Sequence, residues 1–307
     1  MKVVVTGGAG FIGSHVVRTL AKNDIPVISV DKAKAKLKEK NITAVKADIF
    51  DLRVIKKILL NCGASTVIHL VGLPSIADCE KYPHLSFQLN VFSTQNVVEA
   101  MRKTDVERII FASAAPVYGY SNKDKLSENE ALRPNTIYGF HKLMAEQILK
   151  SYEERYGLKP VIFRLFNVYG NNPVRGEDII SIFIRKSLEK EPLIIMGPNK
   201  FRDFIHIENV AQAFLKAYIN NVSGAIINIG SGIKVTLKQL AEIVKKVAPQ
   251  VKVIEKQAPD DGTGLCADIT LARELINFNP LNPYKGIEKH IKKFKTRKII
   301  NHYDSLK

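Results

Sequence analysis

The sequence predicts an α/β fold, a doubly wound parallel sheet joined to a smaller, mixed carboxyl-terminal lobe. Two features carry this. Short β-branched runs alternate with helical stretches through the first half of the chain, and the first run breaks into a glycine turn that opens a helix. Strands separated by helices need crossover connections, which make the strands parallel and place helices on both faces. With 307 residues and a hydrophobic share of 46%, the chain suits one large domain, or one with a smaller partner.

Lys2-Val3-Val4-Val5-Thr6 is apolar and β-branched, as a buried strand should be. Gly7-Gly8-Ala9-Gly10-Phe11-Ile12-Gly13 follows, and then Val16, Val17 and Leu20 recur at helical spacing. This is a cradle for a pyrophosphate. Gly7 allows a sharp turn, Gly10 lets the backbone approach the phosphates, and Gly13 lets helix and strand pack closely. The free N–H groups and the positive dipole end of the helix then face the anion. A glycine turn alone joins strand to helix in many proteins, but here a second run, 26–30, ends in Asp31. A carboxylate there accepts both hydroxyls of an adenosine ribose and repels a 2′-phosphate. The expected cofactor is therefore NAD rather than NADP, with Lys32 and Lys34 softening the repulsion.

Further strands are expected at 43–47, 66–71, 108–112 and 160–164. Ligands of such sheets sit at the carboxyl ends of the strands, where this chain carries Asp31, Asp48, His69 to Gly72, Ser113 and Asn167. Beyond residue 171 prolines and glycines punctuate shorter pieces, with helices expected over 179–190 and 235–247. Residues 225–229 are apolar enough to return to the main sheet. The expected division is a dinucleotide-binding domain over 1–170, with a returning segment near 200–230, and a mainly substrate-binding lobe over 171–307.

The formal charge of +16 admits nucleic acid as a partner. The lysines are nevertheless spread along the chain, densest in 32–40 and 285–298, both of amphipathic helical pattern. No aromatic-interleaved basic ribbon or base-reading module appears. A solvated surface that favours an anionic substrate is the better account. No apolar run is long enough to span a bilayer, and the chain enters a strand at once, so neither a membrane segment nor a signal peptide is expected. Cys62, Cys79 and Cys266 are scattered, which fits a reducing, cytoplasmic setting and no thiolate metal site. The seven histidines form no ligand pattern either.

The candidate chemistry lies in Ser113, Tyr138 and Lys142. Ser113 closes a buried run, and Tyr138-Gly139-Phe140-His141-Lys142 leads into a helix over 143–156. Spacing of four puts Tyr138 and Lys142 on one helix face. A free Tyr, with a pKa near ~10, is a poor base at neutral pH. An ammonium beside it favours the phenolate.

Further motifs complete the pattern: Asp48-Ile49, His69-Leu70-Val71-Gly72, Asn90-Val91-Phe92-Ser93-Thr94, Val117-Tyr118-Gly119 and Arg164-Leu165-Phe166-Asn167-Val168-Tyr169-Gly170. Arg202-Asp203-Phe204-Ile205-His206 and Asn228-Ile229-Gly230-Ser231-Gly232 follow. With these the chain resembles the extended short-chain dehydrogenase/reductases, most nearly the UDP-hexose 4-epimerases and related NAD-dependent nucleotide-sugar enzymes, nearly end to end. The resemblance implies a Rossmann sheet and NAD held by Gly7, Gly10, Phe11, Ile12, Gly13, Asp31 and Lys32. It implies Asp48 and Ile49 around the adenine, and Leu70, Val71, Gly72, Asn90, Ser113, Tyr138 and Lys142 on the nicotinamide side. Ser75, Tyr118, Asn167, Arg202 and Asp261 would meet a UDP-hexose, with Asn167 and Arg202 at its diphosphate. Tyr138 would take the proton of the C4 hydroxyl. The helices over 90–103 and 136–156 match those that such enzymes pair into a homodimer.

Two positions depart from the family pattern. Its catalytic Ser/Thr lies three residues before Val-Tyr-Gly, where this chain has Ala114, with Ser113 one residue earlier on the opposite side of an extended strand. The family's late Arg-Pro-Gly-Asp reads Ala258-Pro259-Asp260-Asp261 here, without the arginine. Ala115 and Pro116 stand where dehydratases carry acids, which disfavours dehydration, and Asp31 disfavours an NADPH-dependent reductase. Another nucleotide-sugar-modifying enzyme, a reductase above all, stays open as an alternative, and so does a dinucleotide sensor without catalysis, favoured by Ala114 and opposed by Tyr138 and Lys142.

Overall fold

The computed structural model describes residues 2–33, 39–170, 178–259 and 262–296, without the side chains of 294–296. The chain opens with β1 (Lys2–Thr6), α1 (Phe11–Lys22), β2 (Val27–Asp31), β3 (Ile42–Lys46), α2 (Leu52–Cys62) and β4 (Ala64–His69). Next come α3 (Ile76–Lys81), α4 (Pro83–Phe87), a π-helical stretch (Gln88–Phe92) and α5 (Ser93–Met101). β5 (Arg108–Ala114) ends in a 3₁₀ turn (Ala115–Tyr118), followed by α6 (Ile137–Tyr156), β6 (Lys159–Leu165) and β7 (Asn167–Tyr169). The remainder holds α7 (Ile179–Leu188), β8 (Leu193–Met196), β9 (Phe201–His206), α8 (Ile207–Ile219) and β10 (Ala225–Ile229). It continues with β11 (Lys234–Thr236), α9 (Leu237–Val247), β12 (Val253–Lys256), α10 (Thr270–Ile276) and α11 (Pro283–Thr296).

Seven strands form one parallel sheet in the order β10-β6-β5-β4-β1-β2-β3. The chain winds outward from β1 in one direction through β2 and β3, then crosses back to β4 and winds the other way. The switch point therefore lies between β1 and β4, and a crevice opens there at the carboxyl ends of the strands. The expected return of 225–229 is observed, with β10 paired to β6 from Ala225↔Val161 to Ile229↔Leu165.

Each face of the sheet is buried, as parallel sheets require. Val16, Val17 and Leu20 of α1 pack with Val210, Phe214 and Ala217 of α8 on one face. Ile55 and Leu59 of α2 pack with Val97 of α5 and Ala145 and Leu149 of α6 on the other. A third core joins Ile180 and Ile184 of α7 to Leu240 and Val244 of α9 and Ile287 of α11. The smaller sheets, β11-β9-β7 and β12-β8, lie in this later part of the chain. The basic run at 285–298 falls largely within α11, whereas the one at 32–40 lies mostly outside the described residues.

Candidate active site

The glycine turn connects β1 to α1 at the switch point. Gly7 has φ +73°, and a Cβ there would stand 2.9 Å from the Leu70 carbonyl carbon at the end of β4. At Gly13 a Cβ would fall 2.0 Å from the Gly7 carbonyl oxygen, so only glycine lets α1 approach the turn this closely. Gly10 is the exposed N-cap of α1 and contributes no side-chain cap, and the first helical turn contains no acid. The amides around Phe11 and Ile12 thus keep the positive end of the helix for an anion.

Asp31 stands at the carboxyl end of β2, half-buried. Its Oδ2 accepts from the Ala9 amide of the turn at 2.9 Å and its Oδ1 from the Ala33 amide at 2.9 Å. Both oxygens keep lone pairs for further donors. Lys32 reaches Asp48 at 3.5 Å on the surface, while Ile49 is buried among the residues of the second face. Lys34 lies outside the described residues.

Beside the turn, Asn90 is fully buried; its Oδ1 accepts from Leu73 N at 3.1 Å and its Nδ2 donates to Leu73 O at 3.2 Å and Ser86 Oγ at 3.2 Å. A Cβ on Gly72 would lie 2.6 Å from Asn90 Oδ1 and 3.4 Å from Lys142 Nζ, so these three groups meet at one point. Leu70 and Val71 pack partly buried against opposite faces of the sheet. His69, at the tip of β4, shares a 2.6 Å hydrogen bond with Thr6 and stacks on Phe111. Burial, aided by the Lys142 charge, holds this imidazole down to about 3.

Tyr138 and Lys142 enter on α6, whose start is set by Thr136: its Oγ1 accepts from the Gly139 amide at 3.1 Å. The Lys142 ammonium is 4% exposed, donates to Ala112 O at 2.8 Å and lies over the Phe111 ring. Burial lowers it to about 8, against the opposing charges of Cys79 and Glu146. Tyr138 is half-buried, and its phenol is pushed above its ordinary value by burial, with Cys79 adding to the rise. This reverses the direction expected from the i, i+4 spacing: desolvation of the phenol dominates, and the ammonium is engaged by the β5 backbone.

Ser113 and Tyr118 also require correction. Ser113 is 2% exposed and turns into the interior, where its Oγ donates to Glu146 Oε1 at 2.5 Å. Tyr118 is equally buried; its hydroxyl donates to Asn228 Oδ1 at 2.7 Å and accepts from Arg164 at 3.0 Å. Arg164 and Glu146 form an ion pair at 2.8 Å, 1% and 0% exposed. Both expected hydroxyls thus belong to a buried polar network beneath the site rather than to its surface. Ala114, fully extended at φ −150° and ψ 149°, faces away from that network by strand alternation.

Of the expected substrate groups, Ser75 caps α3 by accepting from the Asp78 amide at 3.1 Å. Asn167 on β7 and Arg202 on β9 are half-buried on adjacent parallel strands, and Asn167 Nδ2 donates to the Asp203 carbonyl at 3.2 Å. Asp261 lies outside the described residues. Asp203 went unrecognised in the sequence: it is fully buried and accepts from Ser231 N and Oγ, Gly232 N and Ala267 N, fixing the strand that carries Arg202. Glu146 was also missed, although a glutamate four residues beyond Lys142 on the same helix face was a legible signal. Among the described residues no group of three His, Cys, Asp or Glu side chains is disposed to hold a metal ion, and no helix is long and apolar enough to cross a membrane.

Comparison with known proteins agrees with this fold. Residues 3–230 match the model of the NAD dependent epimerase/dehydratase family. A putative UDP-glucose 4-epimerase of Methanocaldococcus jannaschii is 38% identical over 251 residues, 79% of this chain and 81% of that protein. The crystal structure of the UDP-glucose 4-epimerase of Thermotoga maritima with UDP-glucose superposes with a TM-score of 0.88 at 28% identity, covering 97% of this chain and 99% of the other. The UDP-glucuronic acid 4-epimerase of Bacillus cereus, in complex with UDP-glucuronic acid and NAD, gives 0.86 at 26% identity, over 96% of this chain and 99% of that one.

Proposed function

The chain belongs to the NAD dependent epimerase/dehydratase family, and on that premise we propose that it inverts C4 of a UDP-hexose, of the UDP-glucose/UDP-galactose type, through a transient 4-keto sugar. The observation that carries this reading is the spacing of Tyr138 and Lys142 on one face of α6, with the Lys142 ammonium beside Gly72 just past β4.

NAD fits the residues present, with glycines at Gly7, Gly8 and Gly13, where a Cβ would collide, and a carboxylate held at the mouth of the turn. The α1 amino end would take its pyrophosphate, Asp31 its adenosine ribose, and Lys142 its nicotinamide ribose. When bound, it supplies reversible hydride exchange with C4. Tyr138 takes the proton of the C4 hydroxyl and returns it to the inverted alcohol. Since its phenol is raised by burial, the base form depends on positive charge gathering at the site. Lys142 is the chain's own source of that charge. Arg202 and Asn167 hold the sugar-nucleotide diphosphate, where a guanidinium fork suits phosphate oxygens. The later part of the chain, 171–307, supplies most of the substrate's surroundings.

A second copy completes the assembly. Phe92, Phe140 and Met144 are 44%, 51% and 47% exposed on the paired helices expected to dimerise, an apolar face that a homodimer would cover.

Incubation with NAD and a panel of UDP-glucose, UDP-galactose, UDP-N-acetylglucosamine and UDP-glucuronic acid, read by NMR, tests the reading. Epimerised product without net NADH supports it, and identifies the sugar. Tight NAD binding with no turnover of any sugar would favour a dinucleotide sensor, the reading to which Ala114 and the inward Ser113 point.

A further inference from the structure

Glu146 is a fully buried carboxylate that the proposed chemistry does not use. It lies one turn beyond Lys142 on α6, and three bonds converge on it. Ser113 Oγ donates to Oε1 at 2.5 Å, Arg164 Nε to Oε1 at 3.2 Å and Arg164 Nη2 to Oε2 at 2.8 Å. Arg164 in turn donates through Nη1 to Tyr118 Oη at 3.0 Å and to the Glu128 carbonyl at 2.9 Å. Meanwhile Lys142 donates to the carbonyl of Ala112, the residue just before Ser113.

Successive residues of β5 therefore hold successive turns of α6. Ala112 holds Lys142, and Ser113 holds Glu146. A slip of the helix by one residue, about 1.5 Å, would break both bonds at once. Tyr138 lies one turn before Lys142 on the same helix, so a slip of α6 would move it as well. A buried ion pair is a weak stabilising device, and fixing register is its best-attested use.

The groups that face Lys142 come from three elements: Glu146 from α6, Cys79 from α3 and His69 from β4. His69 is neutral, and burial raises the Cys79 thiol above its ordinary value, so it stays protonated at neutral pH. The carboxylate among these three is Glu146, ion-paired with Arg164 at 2.8 Å.

We propose that Glu146 is a positioning residue for the Tyr138/Lys142 pair: held by Ser113 and Arg164, it sets the register of α6 on β5 and keeps the buried Lys142 ammonium charged. The inference rests on the reading of Tyr138 and Lys142 as the catalytic pair.

The test is a titration of Lys142 by ¹³C NMR in full-length protein labelled at lysine Cε, with Lys142→Arg assigning the resonance. Calorimetric NAD affinity is measured over the same pH range. Glu146→Gln should move the Lys142 midpoint down by about one pH unit, and NAD affinity should decline at correspondingly lower pH. Glu146→Asp should restore both. Because Glu146→Gln strands the Arg164 guanidinium, Glu146→Gln/Arg164→Met removes the pair together, a change that buried ion pairs tolerate better. It should shift the midpoint in the same direction, by less. A folded variant lacking the carboxylate whose Lys142 midpoint and NAD profile match the wild type would overturn the proposal. A wild type that turns over no sugar, yet whose Lys142 midpoint shifts on loss of Glu146, would defeat the epimerase reading and leave only the positioning of Lys142 by Glu146.

Discussion

Ala114→Ser should make the enzyme faster. Ser113 cannot supply the missing hydroxyl from where it stands, because its Oγ is committed to Glu146 Oε1 at 2.5 Å inside the sheet. Position 114 is extended and 6% exposed, on the opposite side of the strand, so a serine adds one oxygen without changing the backbone. A single neutral hydrogen bond contributes about 0.5–1.5 kcal/mol, which corresponds to roughly 2- to 13-fold in rate at about 1.4 kcal/mol per tenfold. A preorganised donor that meets developing charge contributes about 10²- to 10³-fold. The expected outcome is a several-fold to tenfold or greater rise in kcat on the preferred sugar, with KM little altered. The new hydroxyl has no partner until substrate arrives, so the melting temperature should fall slightly. The assay is coupled spectrophotometry on the UDP-hexose found by NMR, with Ser113→Ala in parallel. An Ala114→Ser protein with unchanged kcat, beside a Ser113→Ala protein slowed by about 10²-fold or more, would refute the reasoning: Ser113 would then have to leave Glu146 during the reaction.

Three further outcomes are expected. NAD should bind more tightly than NADP, and Asp31→Ala should narrow the gap; equal affinities in the wild type, by titration calorimetry, would remove Asp31 from the ribose. Tyr138→Phe should abolish turnover and leave NAD affinity nearly intact, since it deletes only the hydroxyl; a near-wild-type rate would end its assignment as the base. Acid should destabilise the fold through its buried imidazoles, His69 and His290, which burial holds down to about 3 and about 4. Between the ordinary value of 6.5 and these lower ones the unfolded chain binds protons that the folded chain does not. Their stabilisation is therefore complete above about pH 6.5 and declines as pH falls toward about 3 for His69 and about 4 for His290. Melting temperatures should follow that window, and His290→Phe should flatten the decline; an equally steep decline in that variant would acquit His290.

The local part of the fold was open to reading from the sequence. Strand β1, the glycine turn and the Asp31 strand end depend on neighbouring residues, and so does the apolar run of β10. The short strands β8 and β12 were not legible: Leu193 pairs with Val253, and neither run is long enough to be recognised without its partner. The same distance effect decided the site. Whether Ser113 faces ligand or interior depends on Glu146 and Arg164, which approach only when α6 folds back on β5 and β6. The direction of the Tyr138 shift was misread for a related reason. Spacing along α6 reveals that an ammonium is on the same face, but not that the phenol is desolvated or that the ammonium already serves a backbone carbonyl.

The return of β10 to the main sheet also bears on how the chain reaches its native state. Until Ala225–Ile229 arrives, β6 is an outer strand with one row of N–H and C=O groups unmatched, although Val161, Ile162 and Phe163 are among the most deeply buried residues of the finished protein. Such an edge is a template for pairing with another chain. A fragment ending at residue 170 should therefore self-associate rather than fold cleanly, even though it contains the whole glycine turn and the Tyr138/Lys142 pair. During synthesis the nascent sheet stays sticky until well past β7. The distant pairing that delays its closure should also make the folding step slow and concentration-sensitive.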